Sequence, residues 1–403
     1  MMRRFIVAQI GARRNYAVPS ILAEAGILEA FYTDLCASAG LGSVLSQLCP
    51  DFLRRGSLKN LLSRKLPSSL NGKVYSSTIP SLRYLLRKQL AGQNPEQAAR
   101  AFSQFNIEFG NDLICRGLCQ ATHLFTMLGE GTPFLRFAKE RGLTTVTEIF
   151  ILLSTHYIIQ AEQEKFADLE LCPNEELVEE AFAWLREVLS LTDWAIAPSQ
   201  AIRQDLAKNF EFPIERCFVV PYGVDPSWFQ VENKPVKGRV LFVGTADLRK
   251  GIHILGMAAQ KLSHRNYEFR VAGNVFEGVR QHNLTQKLTF LGRVPRSEIK
   301  QEYQQADILV LPTLAEGSAG VTYESLGAGV PVITTESAGS VVRDGIEGFI
   351  VPERDAEALA ERIEELVENR ELRSCMAAAA KERAKDYTWD KYRERLLGVL
   401  QTF

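Results

Sequence analysis

Short runs of apolar residues alternate with longer amphipathic stretches along the chain, most clearly in the second half. Apolar runs of four or five residues between turn residues are typical of buried strands, and apolar residues spaced three and four apart predict helices. The second half is therefore predicted to contain strands at 239–243, 269–272, 288–291, 308–311 and 332–335, and helices at 251–262, 322–328 and 356–368. This order predicts an α/β fold with parallel sheets.

The first half carries a weaker version of the same pattern. It is predicted to contain strands at 5–8, 122–127, 144–149 and 194–197, and helices at 18–25 and 174–191. One more amphipathic helix is predicted at 389–400, close to the end of the chain. Strands alternating with helices in both halves indicate two doubly wound, Rossmann-like domains.

The stretch from Pro221 to Gly238 marks the boundary between these domains, because its three prolines and two glycines interrupt regular structure. A chain of 403 residues is long enough for two domains. We predict a first domain over 1–225, joined by the C-terminal helix 388–403, and a second domain over 238–387. The two are expected to face one central cleft.

Composition and charge exclude some classes of binding partner, but they say little about the fold. A formal net charge of -1 argues against nucleic acid as a partner. No apolar run reaches 18 residues, so no membrane-spanning helix is expected. The 7 cysteines are scattered and odd in number, which is typical of reduced thiols in the cytoplasm. We therefore expect a cytoplasmic protein.

Positive charge is concentrated from Asp51 to Leu90. This segment has nine Lys and Arg residues, Asp51 as its only acidic residue, and leucines between the charges. Three interpretations remain open. The segment could form an amphipathic surface that docks at the anionic inner face of a membrane and meets a lipid-linked acceptor. It could instead bind an anionic acceptor directly, or form an ordinary solvated basic face.

The strongest chemical signal follows the predicted strand 308–311, where two glutamates, Glu316 and Glu324, flank a run of small residues that leads into a helix. Open α/β sheets bind ligands at the carboxyl ends of their strands. Small residues allow a ligand close to the backbone, and the free N–H groups of a helix start attract phosphate. The candidate binding residues in this run are Gly317, Ser318, Gly320 and Val321. Glu316 is suited to sugar hydroxyls, and Glu324 to the two hydroxyls of a ribose.

A second candidate element follows the predicted strand 239–243. A glycine turn at Gly244 leads to two cations, Arg249 and Lys250, directly before a helix. Cations near the N-terminus of a helix oppose its dipole, so a solvated pair is an unfavourable explanation. Beside a pyrophosphate, however, they neutralise the charge of a leaving group.

The glutamate pair in this setting resembles the donor motif of GT4-family retaining glycosyltransferases (glycosyl transferases group 1), which have the GT-B fold. Segments 324–333, 337–340 and 345–349 are also similar to that family. The resemblance implies that Glu316 contacts the donor sugar and Glu324 the ribose, with the amides near Gly320 and Val321 on the phosphate. It also implies a role in polysaccharide biosynthesis.

The family resemblance extends to the other loops. Segment 244–251 looks like the family's Gly-Arg-Leu-…-Lys-Gly segment, which places Lys250 on its phosphate-binding lysine. The usual arginine is replaced by Thr245, and Arg249 is the candidate to compensate. The turn of Gly292, Arg293 and Val294 resembles the family's base-binding turn. Gly11, after the first strand, looks like the glycine that approaches the diphosphate from the N-terminal domain; an ordinary strand end or turn is the alternative for both.

The catalytic base is an open question. The family often carries a histidine after a strand of the N-terminal domain, and His123 and His156 are the candidates here. A histidine in a strand is more often a packed core residue. Retaining transfer in this family is thought to need little protein base, because the leaving phosphate can deprotonate the acceptor.

Taken together, the residues and the resemblance predict a metal-independent, retaining glycosyltransferase without an organic cofactor. No two aspartates stand two positions apart, so the metal-binding Asp-x-Asp motif of other transferases is absent from the chain. The expected co-substrate is a UDP- or GDP-linked sugar, and the acceptor is a glycan, a lipid-linked or a small molecule. The alternatives are a nucleotide-sugar epimerase or hydrolase of the same architecture and a non-catalytic nucleotide-sugar binding protein.

Overall fold

A computed structural model describes residues 3–36, 66–92, 94–170 and 174–403. Contacts divide the chain into two compact units. Unit 1 comprises Met1–Ile149 and Asn174–Ile196, and unit 2 comprises Phe150–Pro173 and Ala197–Phe403. The predicted boundaries, 1–225 and 238–387, and the assignment of helix 388–403 to the first domain stay predictions.

Two parallel sheets form the centre of the fold. Their strands are β1 Phe5–Gln9, β2 Leu28–Thr33, β3 Val74–Ser76, β4 His123–Met127, β5 Thr144–Glu148, β6 Trp194–Ala197, β7 Cys217–Val219, β8 Arg239–Val243, β9 Glu268–Ala272, β10 Leu288–Gly292, β11 Ile308–Leu311, β12 Val332–Thr334 and β13 Gly348–Ile350. The sheet orders are β3-β2-β1-β4-β5-β6-β7 and β10-β9-β8-β11-β12-β13. Each order reverses once, between β1 and β4 or between β8 and β11, as in doubly wound sheets.

Helices connect these strands. They are α1 Ala17–Glu24, α2 Thr78–Ala91, α3 Pro95–Arg116, α4 Thr132–Glu140, α5 Thr155–Lys165, α6 Glu175–Ser190, α7 Gln200–Asn209, α8 Ile252–Lys261, α9 Glu277–Gln281, α10 Ile299–Gln305, α11 Gly320–Ala328, α12 Ala356–Glu368, α13 Arg370–Ala384 and α14 Trp389–Leu400. Over the described ranges, none of them combines the length and the apolar character that a membrane crossing needs.

The sheet of unit 2 is buried on both faces. Val240 and Phe242 of β8 belong to one apolar cluster, whereas Leu241 between them belongs to another. Leu309 of β11 lies in the second cluster and its neighbours in the first. Because successive side chains of a strand point to opposite faces, an unbroken apolar run fills both cores at once.

The structure confirms the predicted strands 194–197, 239–243 and 308–311 and the predicted helices 356–368 and 389–400 to the residue. The other predicted elements agree within two residues. The strands β2, β3, β7 and β13 and several helices of the first half are additional to the prediction.

The basic segment lies only partly within the description. Its first part, 51–65, lies outside the described residues, and with it Arg54, Arg55, Lys59, Arg64 and Lys65. Its second part includes β3 and the helix α2.

Candidate functional site

The loops after β8 and β11 begin where the strand order of the second sheet reverses. Residues 244–251 lead from β8 into α8, and residues 312–319 lead from β11 into α11. These two strands pair directly, with Ile308 opposite Val240. The carboxyl ends of strands at such a reversal form the crevice in which open α/β sheets bind ligands.

Hydrogen bonds tie the two loops to each other. The carbonyl of Arg249 accepts from the Leu314 N–H and from the Thr313 hydroxyl, each at 2.8 Å. The loops also approach so closely that a Cβ at Gly251 would lie 1.9 Å from the carbonyl oxygen of Pro312. Only glycine fits this position, and its φ of +71° favours glycine as well.

The predicted charged residues converge between these loops. The carboxylate of Glu316 accepts a 2.9 Å hydrogen bond from the Arg249 guanidinium, and the Lys250 ammonium contacts the same oxygen. Burial and the neighbouring Arg249 lower the pKa of Lys250, while the Asp247 carboxylate acts in the opposite sense. Arg249 and Lys250 thus place two cations at the strand ends, which suits an anionic ligand.

The start of α11 adds backbone donors to this charge. Its N-cap, Ala319, has no side chain that could accept from the first-turn N–H groups. Gly320 is exposed, and a Cβ there would meet nothing within 4 Å. Ser318 is instead buried, and its hydroxyl bonds to the Tyr323 hydroxyl at 2.9 Å. The open helix start next to two cations can bind a phosphate group.

Glu324 lies on α11, and its carboxylate accepts a 3.3 Å hydrogen bond from the Tyr303 hydroxyl. Burial raises the pKa of Glu324 to about 7, although the cations Arg296 and Lys300 oppose the shift. Tyr303 is fully buried on α10 and also donates to the Val321 carbonyl at 3.3 Å. This neighbour holds Glu324 in place, and no pattern in the sequence marked it.

The predicted base-binding turn lies at the same edge of the sheet. Gly292 ends β10, two strands away from β8 in the sheet order, and a Cβ there would meet nothing within 4 Å. Arg293 is exposed, and Val294 packs against the apolar cluster behind the turn. An open turn about two strand spacings, roughly 10 Å, from β8 is within reach of one nucleotide.

A segment between β5 and α6 supports both loops of the site. The carboxylate of Glu170 accepts a 3.0 Å hydrogen bond from the Leu248 N–H, in the loop after β8. Against the other loop, a Cβ at Gly317 would lie 1.7 Å from the carbonyl oxygen of Phe150. Both residues of this segment escaped the sequence analysis, because the acid-rich stretch around Glu170 shows no distinctive spacing.

Unit 1 has a polar cluster at its own reversal of strand order. Gly11, in the turn after β1, donates its N–H to Asp34 at 2.9 Å. The buried carboxylate of Glu130 accepts from the Ile10 N–H at 2.6 Å and from the Arg13 guanidinium at 2.7 Å. Burial raises the pKa of Glu130 to about 7 against the effect of Arg13. Of these residues the sequence analysis identified only Gly11.

The two candidate histidines occupy different surroundings. His123 is the first residue of β4 and pairs with Phe5, the first residue of β1. It is buried, bonds Thr122 at 2.7 Å and packs on the Phe5 ring. It therefore lies at the amino edge of its sheet, opposite the turn of Gly11. His156 is exposed in the first turn of α5. Neither is part of the site that we propose below.

Comparison with known proteins identifies related sequences and folds. Residues 225–383 match the family described as glycosyl transferases group 1. An uncharacterized glycosyltransferase of Methanocaldococcus jannaschii is 28% identical over 205 residues, which cover 50% of this chain and 57% of the relative. The phosphatidyl-myo-inositol mannosyltransferase of Mycolicibacterium smegmatis is 31% identical over 214 residues, 49% of this chain and 55% of the relative. The chain thus spans about half the length of these relatives.

A solved structure is similar over the whole chain. The Anabaena protein HepE, crystallised in complex with UDP, superposes with a TM-score of 0.62 at 15% identity, covering 99% of this chain and 100% of that one. This likeness concerns the fold, and with the two doubly wound sheets it confirms the predicted α/β, GT-B class. Both site loops lie within residues 225–383, the part of the chain that matches the glycosyl transferases group 1 family.

Proposed function

We propose that the protein transfers a sugar from a nucleoside diphosphate sugar to an acceptor, with retention of configuration and without a metal. One observation carries the proposal: Lys250, Arg249 and Glu316 meet at the open start of α11. This arrangement places positive charge at a diphosphate and a carboxylate beside the sugar. Glu324, further along the helix, then accepts hydrogen bonds from the ribose hydroxyls.

The proposed reaction breaks the bond between the anomeric carbon and the diphosphate oxygen, which leaves with the electron pair. The acceptor oxygen forms its bond to the same face of the anomeric carbon, and its proton passes to the leaving phosphate. Lys250, Arg249 and the first-turn amides of α11 stabilise the developing negative charge. When the donor binds, its phosphate replaces Glu316 as the partner of Lys250, which frees the carboxylate for the sugar hydroxyls.

The comparisons support the class of donor and leave the acceptor open. The Anabaena structure was solved with UDP, and the Mycolicibacterium relative is named as a mannosyltransferase that acts on phosphatidyl-myo-inositol. A uridine or guanosine diphosphate sugar is therefore the proposed donor. The acceptor is proposed as a glycan, a lipid-linked or a small molecule.

A panel of UDP- and GDP-linked sugars tests the proposal. Thermal-shift measurements identify the sugar that binds, because a ligand of the native state raises the melting temperature. Incubation of that sugar with the protein alone then separates the three candidate functions. Slow release of nucleotide supports a transferase that leaks to water, whereas fast release without an acceptor indicates a hydrolase. A changed sugar indicates an epimerase, and binding without turnover indicates a binding protein.

The finer features need separate measurements. The anomeric configuration of the product, read by NMR, tests retention. Turnover that persists unchanged in excess EDTA supports metal independence, and turnover that is lost in EDTA and restored by a divalent metal refutes it.

A further inference from the structure

The outward face of helix α2 (Thr78–Ala91) is apolar. Ile79, Leu82, Leu86 and Leu90 expose 63%, 38%, 63% and 84% of their surface. At 100° per residue these four side chains fall within an arc of about 80° and form one continuous stripe. Single exposed leucines are ordinary on soluble proteins, but a contiguous stripe indicates an interaction surface.

Contacts on the opposite side of α2 fix this orientation. The Tyr84 ring stacks on the Phe105 ring of α3, with centroids 4.7 Å apart and planes at 11°. The Arg87 guanidinium donates a 2.6 Å hydrogen bond to the Glu108 carboxylate of the same helix. Because these contacts set the rotation of α2, its leucine stripe points away from α3.

The charge on helix α2 has one sign. The helix has three Lys and Arg residues and no Asp or Glu, although the overall formal charge of the chain is -1. Arg83 is exposed at the border of the stripe, and Lys88 is also exposed on α2. A partner for this face therefore combines an apolar layer with negative charge, which is the chemistry of an anionic bilayer surface.

We propose that α2 docks in the plane of an anionic lipid bilayer. Its stripe from Ile79 to Leu90, roughly 17 Å long, enters the boundary between headgroups and acyl chains, and Arg83 lies at the level of the lipid phosphates. This surface goes beyond the proposed transfer reaction, because membrane binding requires neither donor nor turnover. For the part of the basic segment that lies in α2, it favours membrane docking among the three interpretations.

Flotation of the full chain with lipid vesicles tests the proposal. Vesicles of phosphatidylcholine are compared with vesicles that also contain phosphatidylglycerol, at low and high salt. The double variant Leu86→Gln, Leu90→Gln removes the most exposed part of the stripe, and Ile214→Gln, at a hydrophobic residue exposed by 43% in unit 2, is the matched control. We expect binding to the anionic vesicles to fall at least about tenfold in the double variant and to stay unchanged in the control.

The charge contribution has its own pair of variants. Arg83→Gln is expected to weaken binding to anionic vesicles about fivefold at low salt and less at high salt, whereas Arg186→Gln, at another exposed arginine of unit 1, has no effect. All five replaced side chains are exposed, so the melting temperatures of the variants should match the wild type. That measurement separates loss of docking from loss of folding.

Four results would overturn the proposal. The wild type could fail to float with anionic vesicles, or float equally with phosphatidylcholine alone at every salt concentration. The double variant could float as well as the Ile214→Gln control. A dimer of the wild type that dissociates in the double variant, without vesicle binding, would assign the stripe to contact between two copies of the chain.

Discussion

Glu316 would compete with a bound phosphate for two cations. Its carboxylate contacts Lys250 and accepts a hydrogen bond from Arg249. A diphosphate would offer both cations more negative charge than one carboxylate does. We therefore expect a bound diphosphate to displace Glu316 from both cations.

Lys250→Ala and Glu316→Gln are each expected to lower turnover roughly 10²–10³-fold, because each removes a group that stabilises charge or orients the sugar in the transition state. Steady-state transfer rates with the donor from the nucleotide-sugar panel provide the measurement. Lys261→Ala is the matched control, since this lysine ends the same helix α8 in a surface pair with Glu357. Wild-type rates in both site variants would refute the site.

Nucleotide affinity should depend on pH through Glu324. Its pKa is raised to about 7 by burial, so it is a carboxylate above that pH and protonated below it. Only the carboxylate accepts from both ribose hydroxyls, and we expect the Kd for UDP or GDP to rise about fivefold to tenfold from pH 8 to pH 6.

Calorimetric titration of the wild type and Glu324→Gln across that range measures this dependence. The Glu324→Gln variant is titrated with the same nucleotide but has no carboxylate at position 324. Any pH dependence of its Kd therefore measures the contribution of the nucleotide phosphates. A dependence that persists in Glu324→Gln would assign the effect to another group.

At the scale of elements, helix α5 is held in unit 2 by one buried carboxylate. Glu162 accepts from the Arg354 guanidinium at 2.6 Å and bonds the buried His253 of α8 at 3.0 Å. Burial alone would raise the pKa of Glu162, but the hydrogen bonds from His253 and Arg354 lower it to about 2. The same segment continues to Glu170, so these contacts bear on the geometry of the site.

Glu162→Ala should reduce the free energy of unfolding by about 2 kcal/mol, because it leaves the fully buried His253 without its acceptor and also removes the partner of the exposed Arg354. Glu164→Ala, an exposed position on the same helix, should change it by less than about 0.5 kcal/mol. Chemical denaturation measures both. Because the pKa is lowered, the contribution of Glu162 is complete above about pH 4.5 and is lost as the pH falls towards 2. Equal stability of the two variants would contradict the role assigned to Glu162.

The loop after β11 makes a second element-scale prediction. A methyl group at Gly317 would overlap the Phe150 carbonyl, whereas one at Gly320 meets open space. Gly317→Ala should therefore lower Tm by roughly 4–8 °C, for a cost of about 2 kcal/mol, and Gly320→Ala should leave it within about 2 °C. Thermal unfolding without ligand compares the two. A smaller shift for Gly317→Ala than for Gly320→Ala would show that Gly317 does not approach the Phe150 carbonyl as described.

The sequence predicts those features that are encoded in a short continuous run of residues, and it does not predict contacts between residues that are distant in the chain. The strands β8 and β11, the glutamate pair and the lysine before α8 are each marked by a run of about ten residues. Glu170 and Tyr303 carry no such mark, since their hydrogen-bond partners lie 78 and 21 residues away in the chain. Strand β2 was missed because Glu29 and Thr33 interrupt its apolar run.

At the scale of the whole molecule, the two units have separate cores. Ile6 and Leu124 lie in an apolar cluster of unit 1, whereas Val240 and Val310 lie in one of unit 2. All four residues at the centre of the proposed donor site, Arg249, Lys250, Glu316 and Glu324, belong to unit 2. Nucleotide binding should therefore stabilise unit 2 first.

Hydrogen exchange measures this difference directly. A nucleotide at 100 times its Kd should stabilise the binding unit by about 2.7 kcal/mol and slow exchange of the amides in 244–251 and 317–328. The core amides of β1 and β4 in unit 1 serve as the internal control and should exchange at unchanged rates. Equal protection of both sets would place the nucleotide on both units.

Unit 2 is discontinuous in the sequence, which affects the construction of hybrid proteins between relatives. Unit 2 consists of two separate pieces, Phe150–Pro173 and Ala197–Phe403, and the short piece brings the carboxylate that binds His253 and the one that binds the Leu248 amide. In a hybrid protein that inherits only the long piece, His253 and Arg354 would face the residue that the other parent has at the position of Glu162. Recombination of the whole unit therefore calls for three crossovers in the gene, at 149/150, 173/174 and 196/197, instead of one.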